Sequence, residues 1–300
     1  MAGFDVLRLV ALAAIVAFHA GAPGSRYTAW RLPALTIISA ALAAGRREPR
    51  PLAEQARRSA IRLLAPWAFW CAVYGAVDAA IYWRLGTSVV QELGPRVLVT
   101  GASVHLWYLP FAFVMILAVD AARRLTEGLP AAGTCALAAT VALAALVAVA
   151  LDGSYRDDAG TPWPQWLRAI PAVFLGLAVG TATRRGSGRG VALLATSTAT
   201  ACAAVAVGLG DDLAARYGMA MILVAAAASW RFDPPRWLTD AAGLAMGVYL
   251  IHMVVHRAIY FAFNRLPTPD LPPTAQALAV VALSFAAAWA LSRTPLRRLV

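Results

Sequence analysis

The sequence predicts an all-α, polytopic bundle of about ten transmembrane helices, and three observations carry that expectation. Apolar residues make up 61% of the chain and charged residues only 14%, whereas a soluble domain needs roughly 25% charge to cover its surface. Lipid is then the solvent for most of the chain. The apolar residues recur in continuous runs of helical length, not in period-two alternation, which excludes a β-barrel. The 26 basic residues, all arginine, fall in short clusters between those runs, a pattern of membrane topology and not of nucleic-acid binding.

Taken in order, spans are expected near 5–22, 31–45, 66–83, 103–120, 130–151, 166–183, 190–209, 213–230, 238–262 and 274–292. Several are shorter than the ~20 residues that cross a bilayer. No internal repeat is visible, so 1–300 reads as a single membrane domain. The first run has Arg8 ahead of an apolar core, like a secretory leader, but it ends in His19 and further spans follow, so it reads as the first span. Arginines gather after the second span as Arg46, Arg47, Arg50, Arg57, Arg58 and Arg62. They gather again after the fourth, sixth and eighth spans, as Arg123 and Arg124, then Arg184, Arg185 and Arg189, then Arg231 and Arg236. The tail adds Arg293, Arg297 and Arg298. The intervening links are richer in acid, with Asp152, Asp157 and Asp158 in one and Asp211 and Asp212 in the next. The positive-inside rule therefore puts both termini in the cytoplasm, as an even number of spans requires.

The absence of lysine fits a GC-rich bacterial genome and removes Schiff-base and P-loop lysine chemistry. Cys71, Cys135 and Cys202 are isolated within apolar runs, so neither a metal site nor a disulfide framework is expected.

Ionisable groups within a span cost several kcal/mol and mark candidate functional positions. About eleven residues, nearly three turns, separate Arg8 from His19, which puts them on one face of the first helix roughly 16 Å apart along its axis. Asp5, one turn before Arg8, can hold its guanidinium. Arg8 either snorkels to the headgroups or binds an anion; His19 either makes an interhelical hydrogen bond or does chemistry. His252 falls at a depth comparable with His19. His105 opens a span beside Trp107 and Tyr108, as an interfacial or a functional histidine. His256 reads as interfacial. Asp78 lies in the outer half of its span, where it orients a histidine or reaches the interface. Arginines inside and histidines higher up suit acyl transfer: guanidinium groups hold an anionic thioester donor, and a neutral imidazole accepts a proton from a hydroxyl.

These residues resemble the acyltransferase-3 family of membrane acyltransferases. Asp5, Arg8 and His19 match its first-helix Asp-x-x-Arg, followed by ten residues and a histidine. Pro33 and Ser39 keep the spacing of a second-helix Pro-x-Phe-Phe-x-x-Ser-Gly pattern, with Leu35, Thr36 and Ala40 replacing its aromatic pair and glycine. An arginine-rich segment before a proline matches Arg57, Arg58, Arg62 and Pro66. His105-Leu-Trp107-Tyr108-Leu and Gly247-Val-Tyr249-Leu-Ile-His252 match two later motifs.

The resemblance implies transfer of an acyl group, commonly acetyl, from acetyl-CoA or another acyl-CoA to a hydroxyl of a polysaccharide, lipid-linked sugar or secondary metabolite. It implies His19 as general base or acyl carrier, with His252 also catalytic. Arg8, Asp5, Arg58 and Arg62 would serve the donor, and Ser39, His105, Trp107 and Tyr249 would line the substrate path. It implies no permanently bound cofactor, no metal and no nucleic-acid partner, in a multi-pass protein of the plasma membrane. A transporter or flippase is the rival reading, since intramembrane charge also marks substrate pathways.

Overall fold

The computed structural model describes residues 2–46, 51–85, 97–153, 162–263 and 271–300. Arg47, Arg50, Asp157 and Asp158 from the charge pattern lie outside the described residues. The described secondary structure is helical throughout. In chain order the helices are α1 (Ala2–His19), α2 (Arg31–Ala44), α3 (Leu52–Ser59), α4 (Ala65–Leu85), α5 (Tyr108–Leu125), α6 (Ala131–Asp152), α7 (Trp163–Arg184), α8 (Gly188–Leu209), α9 (Asp212–Ser229), α10 (Arg236–Gly243), α11 (Ala245–Phe263) and α12 (Pro273–Ser292). Nine helices among the described residues are long and apolar enough to cross a membrane. The chain is a multi-pass membrane protein.

The expected second span is not one of those nine. Helix α2 has 14 residues, about 21 Å of rise against an apolar layer of about 30 Å. It is buried instead: Ala34, Ile37, Ile38 and Ala40 are fully enclosed, and α1, α5, α7 and α9 pack around it. A helix surrounded by protein need not match the lipid thickness. Its closest partner is α7, where Gly176 and Gly180 form a small-xxx-small pair. A Cβ on Gly176 would stand 2.4 Å from Ala40 Cβ and 2.6 Å from the Ile37 carbonyl oxygen; on Gly180 it would stand 2.5 Å from the Ala41 carbonyl oxygen. Only glycine permits this approach, which replaces the absent hydrophobic drive between helices in lipid with close van der Waals contact. The pairings advance together along both chains, so α2 and α7 run parallel.

Two other expectations are corrected. The run 238–262 is two helices, because Gly243 precedes a break at Leu244, whose N–H bonds back to Asp240 and Ala241 carbonyls. Helix α10 is amphipathic, with Leu238 and Ala242 buried and the rest of its surface wetter. The span expected at 103–120 is found at Val104–Leu125, opening with a 3-10 turn over Val104–Trp107 before α5. Pro110 lacks an N–H and sits in the first turn of α5, where no intrahelical partner is lost. The span expected at 66–83 is continuous with α3 through a π-helical turn at Ala60–Leu64.

Candidate functional site

Three histidines from three distant stretches of chain converge. His19 ends α1, His105 sits in the 3-10 turn before α5, and His252 lies in the middle of α11. The ring centroids of His105 and His252 are 4.8 Å apart, and those of His19 and His252 are 5.3 Å apart. His252 is fully buried and His105 nearly so, at 3% exposure; His105 is not an interfacial residue of an aromatic belt.

Tyrosines hold this cluster. The Tyr74 hydroxyl donates to the Leu250 carbonyl at 2.8 Å and accepts from the Val254 N–H at 3.2 Å, pinning α4 to α11 around His252. The Tyr249 hydroxyl donates to the His105 carbonyl. The Ser103 hydroxyl lies 3.1 Å from His105 Nδ1. His252 Nδ1 is 2.7 Å from the Tyr249 carbonyl. A carbonyl only accepts, so Nδ1 carries the proton and Nε2 of the neutral ring keeps its lone pair. That Nε2 is buried and has no hydrogen-bond partner among the described residues. A bare acceptor in such a place carries a desolvation penalty unless something donates to it.

The remaining sequence-derived candidates divide into two groups. Ser39 and Trp107 lie beside the cluster: the Tyr108 hydroxyl makes a long 3.4 Å contact with Ser39 Oγ, and Tyr108 packs against Tyr249 and Trp107. Arg8 pairs with Asp5 at 3.2 Å near the N-terminal face and lies within electrostatic reach of Tyr108. Arg58 and Arg62 are not brought to the histidines. Both are exposed at the N-terminal face, and Arg58 pairs with Glu54 at 2.6 Å. Asp78 orients no histidine: it pairs with Arg257 of α11, whose guanidinium stands 5.6 Å from the Tyr74 ring. His256 stands one turn beyond His252 on α11, its Nε2 3.4 Å from Gln276 Nε2.

At the end of the bundle opposite the N-terminus, a cavity of about 590 Å³ reaches down to His19, His105 and Tyr249. Arg26, Arg31, Arg168 and Arg216 line it, together with Gln165 and Trp107. None of these arginines was singled out by motif or spacing. A signal existed, since all four fall on the side where the charge pattern otherwise makes arginine scarce. No group of His, Cys, Asp and Glu among the described residues could hold a metal ion.

A family model described as an acyltransferase domain, of the acyltransferase-3 type, matches residues 1–293. The chain belongs to the acyltransferase-3 family. This membrane acyltransferase carries the match from before Asp5 to beyond α12, so all three clustered histidines fall within it. Comparison with curated proteins and with solved structures returns no match.

Proposed function

We propose that this acyltransferase moves an acyl group, in the first instance acetyl, from acyl-CoA to a hydroxyl of a glycan, lipid-linked sugar or secondary metabolite, with His19 as the general base. The observation that carries this reading is the arrangement of His19 at the cavity floor with the tautomer-fixed, unpartnered Nε2 of His252 behind it. The His19 and His252 ring centroids are 5.3 Å apart, so a rotation of the His19 ring brings one of its nitrogens to donate to His252 Nε2 and leaves the other as a base facing the cavity. The acceptor hydroxyl loses its proton to that nitrogen as its oxygen attacks the thioester carbonyl. The new C–O bond forms, the C–S bond breaks, and the proton passes to the departing CoA thiolate.

The arginine asymmetry supports a cytoplasmic N-terminal face in a bacterial plasma membrane, with both termini inside. Acyl-CoA is a soluble anion on that side. Arg8, Arg58 and Arg62 all lie there, and Arg58 and Arg62 are exposed to it. Guanidinium groups pair bidentately with phosphate, which suits them to CoA. Asp5 keeps Arg8 oriented in the absence of donor. Acyl-CoA is a substrate and no resident cofactor is needed.

The test is acyl-CoA consumption by purified protein with a panel of hydroxyl acceptors. The His19→Asn variant keeps a polar group at this depth but no base at neutral pH, so turnover is expected to fall by about 10²–10⁴-fold while acetyl-CoA binding and melting temperature hold. Near wild-type turnover in a folded His19→Asn protein would remove His19 from the chemistry.

A further inference from the structure

The cavity beyond His19 is built for more than a neutral hydroxyl. We propose that it selects acceptors bearing an anionic group, phosphate or carboxylate, close to the hydroxyl that is acylated. The inference rests on the assignment of His19 as the reacting base and names the class of substrate brought to it.

Arginine is disfavoured at this end of the bundle by topology, yet Arg26 and Arg31, Arg168, and Arg216 come from three separate stretches of chain to one cavity. No carboxylate is among the described lining residues; Asp212, largely exposed and outside that lining, pairs with Arg216. Arg26 and Arg31 are held by neutral groups. Arg26 bonds the Tyr27 hydroxyl at 3.0 Å, and Arg31 bonds the Thr28 hydroxyl at 3.3 Å while stacking 4.1 Å from the Phe18 ring centroid. Neutral partners and an aromatic face orient a guanidinium without neutralising it.

Phe18 is the residue before His19, so an anion on Arg31 is delivered beside the base. Gln165 adds a buried Oε1 with no hydrogen-bond partner among the described residues, an acceptor for a further hydroxyl of the ligand. The volume, about 590 Å³, lies within the roughly 300–1,000 Å³ of small-molecule sites. Two sources share this chemistry: the phosphate of a lipid-linked or phosphorylated sugar, and the carboxylate of an acidic sugar.

The experiment measures binding of inorganic pyrophosphate and of glucuronate to the purified full chain in detergent, by thermal shift and by protection from phenylglyoxal read residue by residue by mass spectrometry. Saturable binding of either probe that shields Arg31 and Arg26 is the expected result. Pyrophosphate alone assigns a phosphate-bearing acceptor, and glucuronate alone an acidic sugar. Arg31→Gln is expected to weaken the binding probe roughly ten- to hundredfold, while Arg185→Gln at the opposite face leaves it unchanged. Protection on the wild-type chain gives an answer even where Arg31→Gln fails to fold.

Three results overturn the inference: neither probe shields these arginines, Arg185→Gln weakens binding as much as Arg31→Gln, or CoA displaces the probe and so claims the cavity for the donor. Acetyl-CoA binding measured on the same preparation separates the two readings. Its absence counts against the acyltransferase assignment for His19, whereas donor binding without any anion binding removes the acceptor inference alone.

Discussion

At the residue scale, the proposed function makes His252 act through His19. It is enclosed, and His19, not His252, lines the cavity, so on that reading its part is to offer Nε2 as an acceptor that holds the His19 ring in one orientation. A leucine at 252 fills much of the space but offers no acceptor; a glutamine restores an acceptor oxygen. His252→Leu is therefore expected to lower kcat about tenfold or more with the donor KM unchanged, and His252→Gln to recover much of the loss. Equal damage from both, tracked by a falling melting temperature, would make His252 a packing residue. The one-face spacing of Arg8 and His19 is legible in the sequence because both lie on one helix. The meeting of His19 with His105 and His252 is not, because it depends on how α1, α5 and α11 pack. The cavity arginines were hidden differently: they are the exceptions to a rule read only for its majority.

At the element scale, the seam between α2 and α7 sets the positions of Arg31, Ser39, Gln165 and Arg168, since each belongs to one of those two helices. Its tightness depends on Gly176 and Gly180. Gly176→Ala puts a methyl where backbone and Ala40 already are, and is expected to destabilise by about 1–3 kcal/mol. Gly208→Ala in α8 meets nothing within 4 Å and should be neutral or slightly stabilising. Thermal melts of the two variants in one detergent check the contrast; equal shifts would mean that the seam tolerates separation. Most helix ends were legible because apolar runs stop at charged or glycine-rich links. The break at Leu244 was not, because Asp240 and Gly243 fall inside the run read as one span and no proline separates its two helices.

At the scale of the whole molecule, the arrangement of donor and acceptor rests on orientation. With the native cysteines replaced by serine, a single cysteine at Gly153 or Gly210 is expected to react with an impermeant thiol reagent applied outside intact cells. One at Arg185 should react only after permeabilisation. External labelling at Arg185 would invert the faces and move the acceptor cavity to the cytoplasm. The overall architecture was legible because burying so much apolar surface leaves lipid as the only matching solvent. Helix α2 carries a consequence for how an acyl group crosses. It is about 9 Å shorter than the apolar layer, and its Arg31 end opens into the cavity that reaches His19. Because the cavity beside that end reaches down to His19, the protein is thinned there, and on the proposed function a thioester from one compartment and a hydroxyl from the other approach the same histidine. Transfer on that reading exposes only the thioester carbonyl to the acceptor, and neither whole substrate has to cross the bilayer.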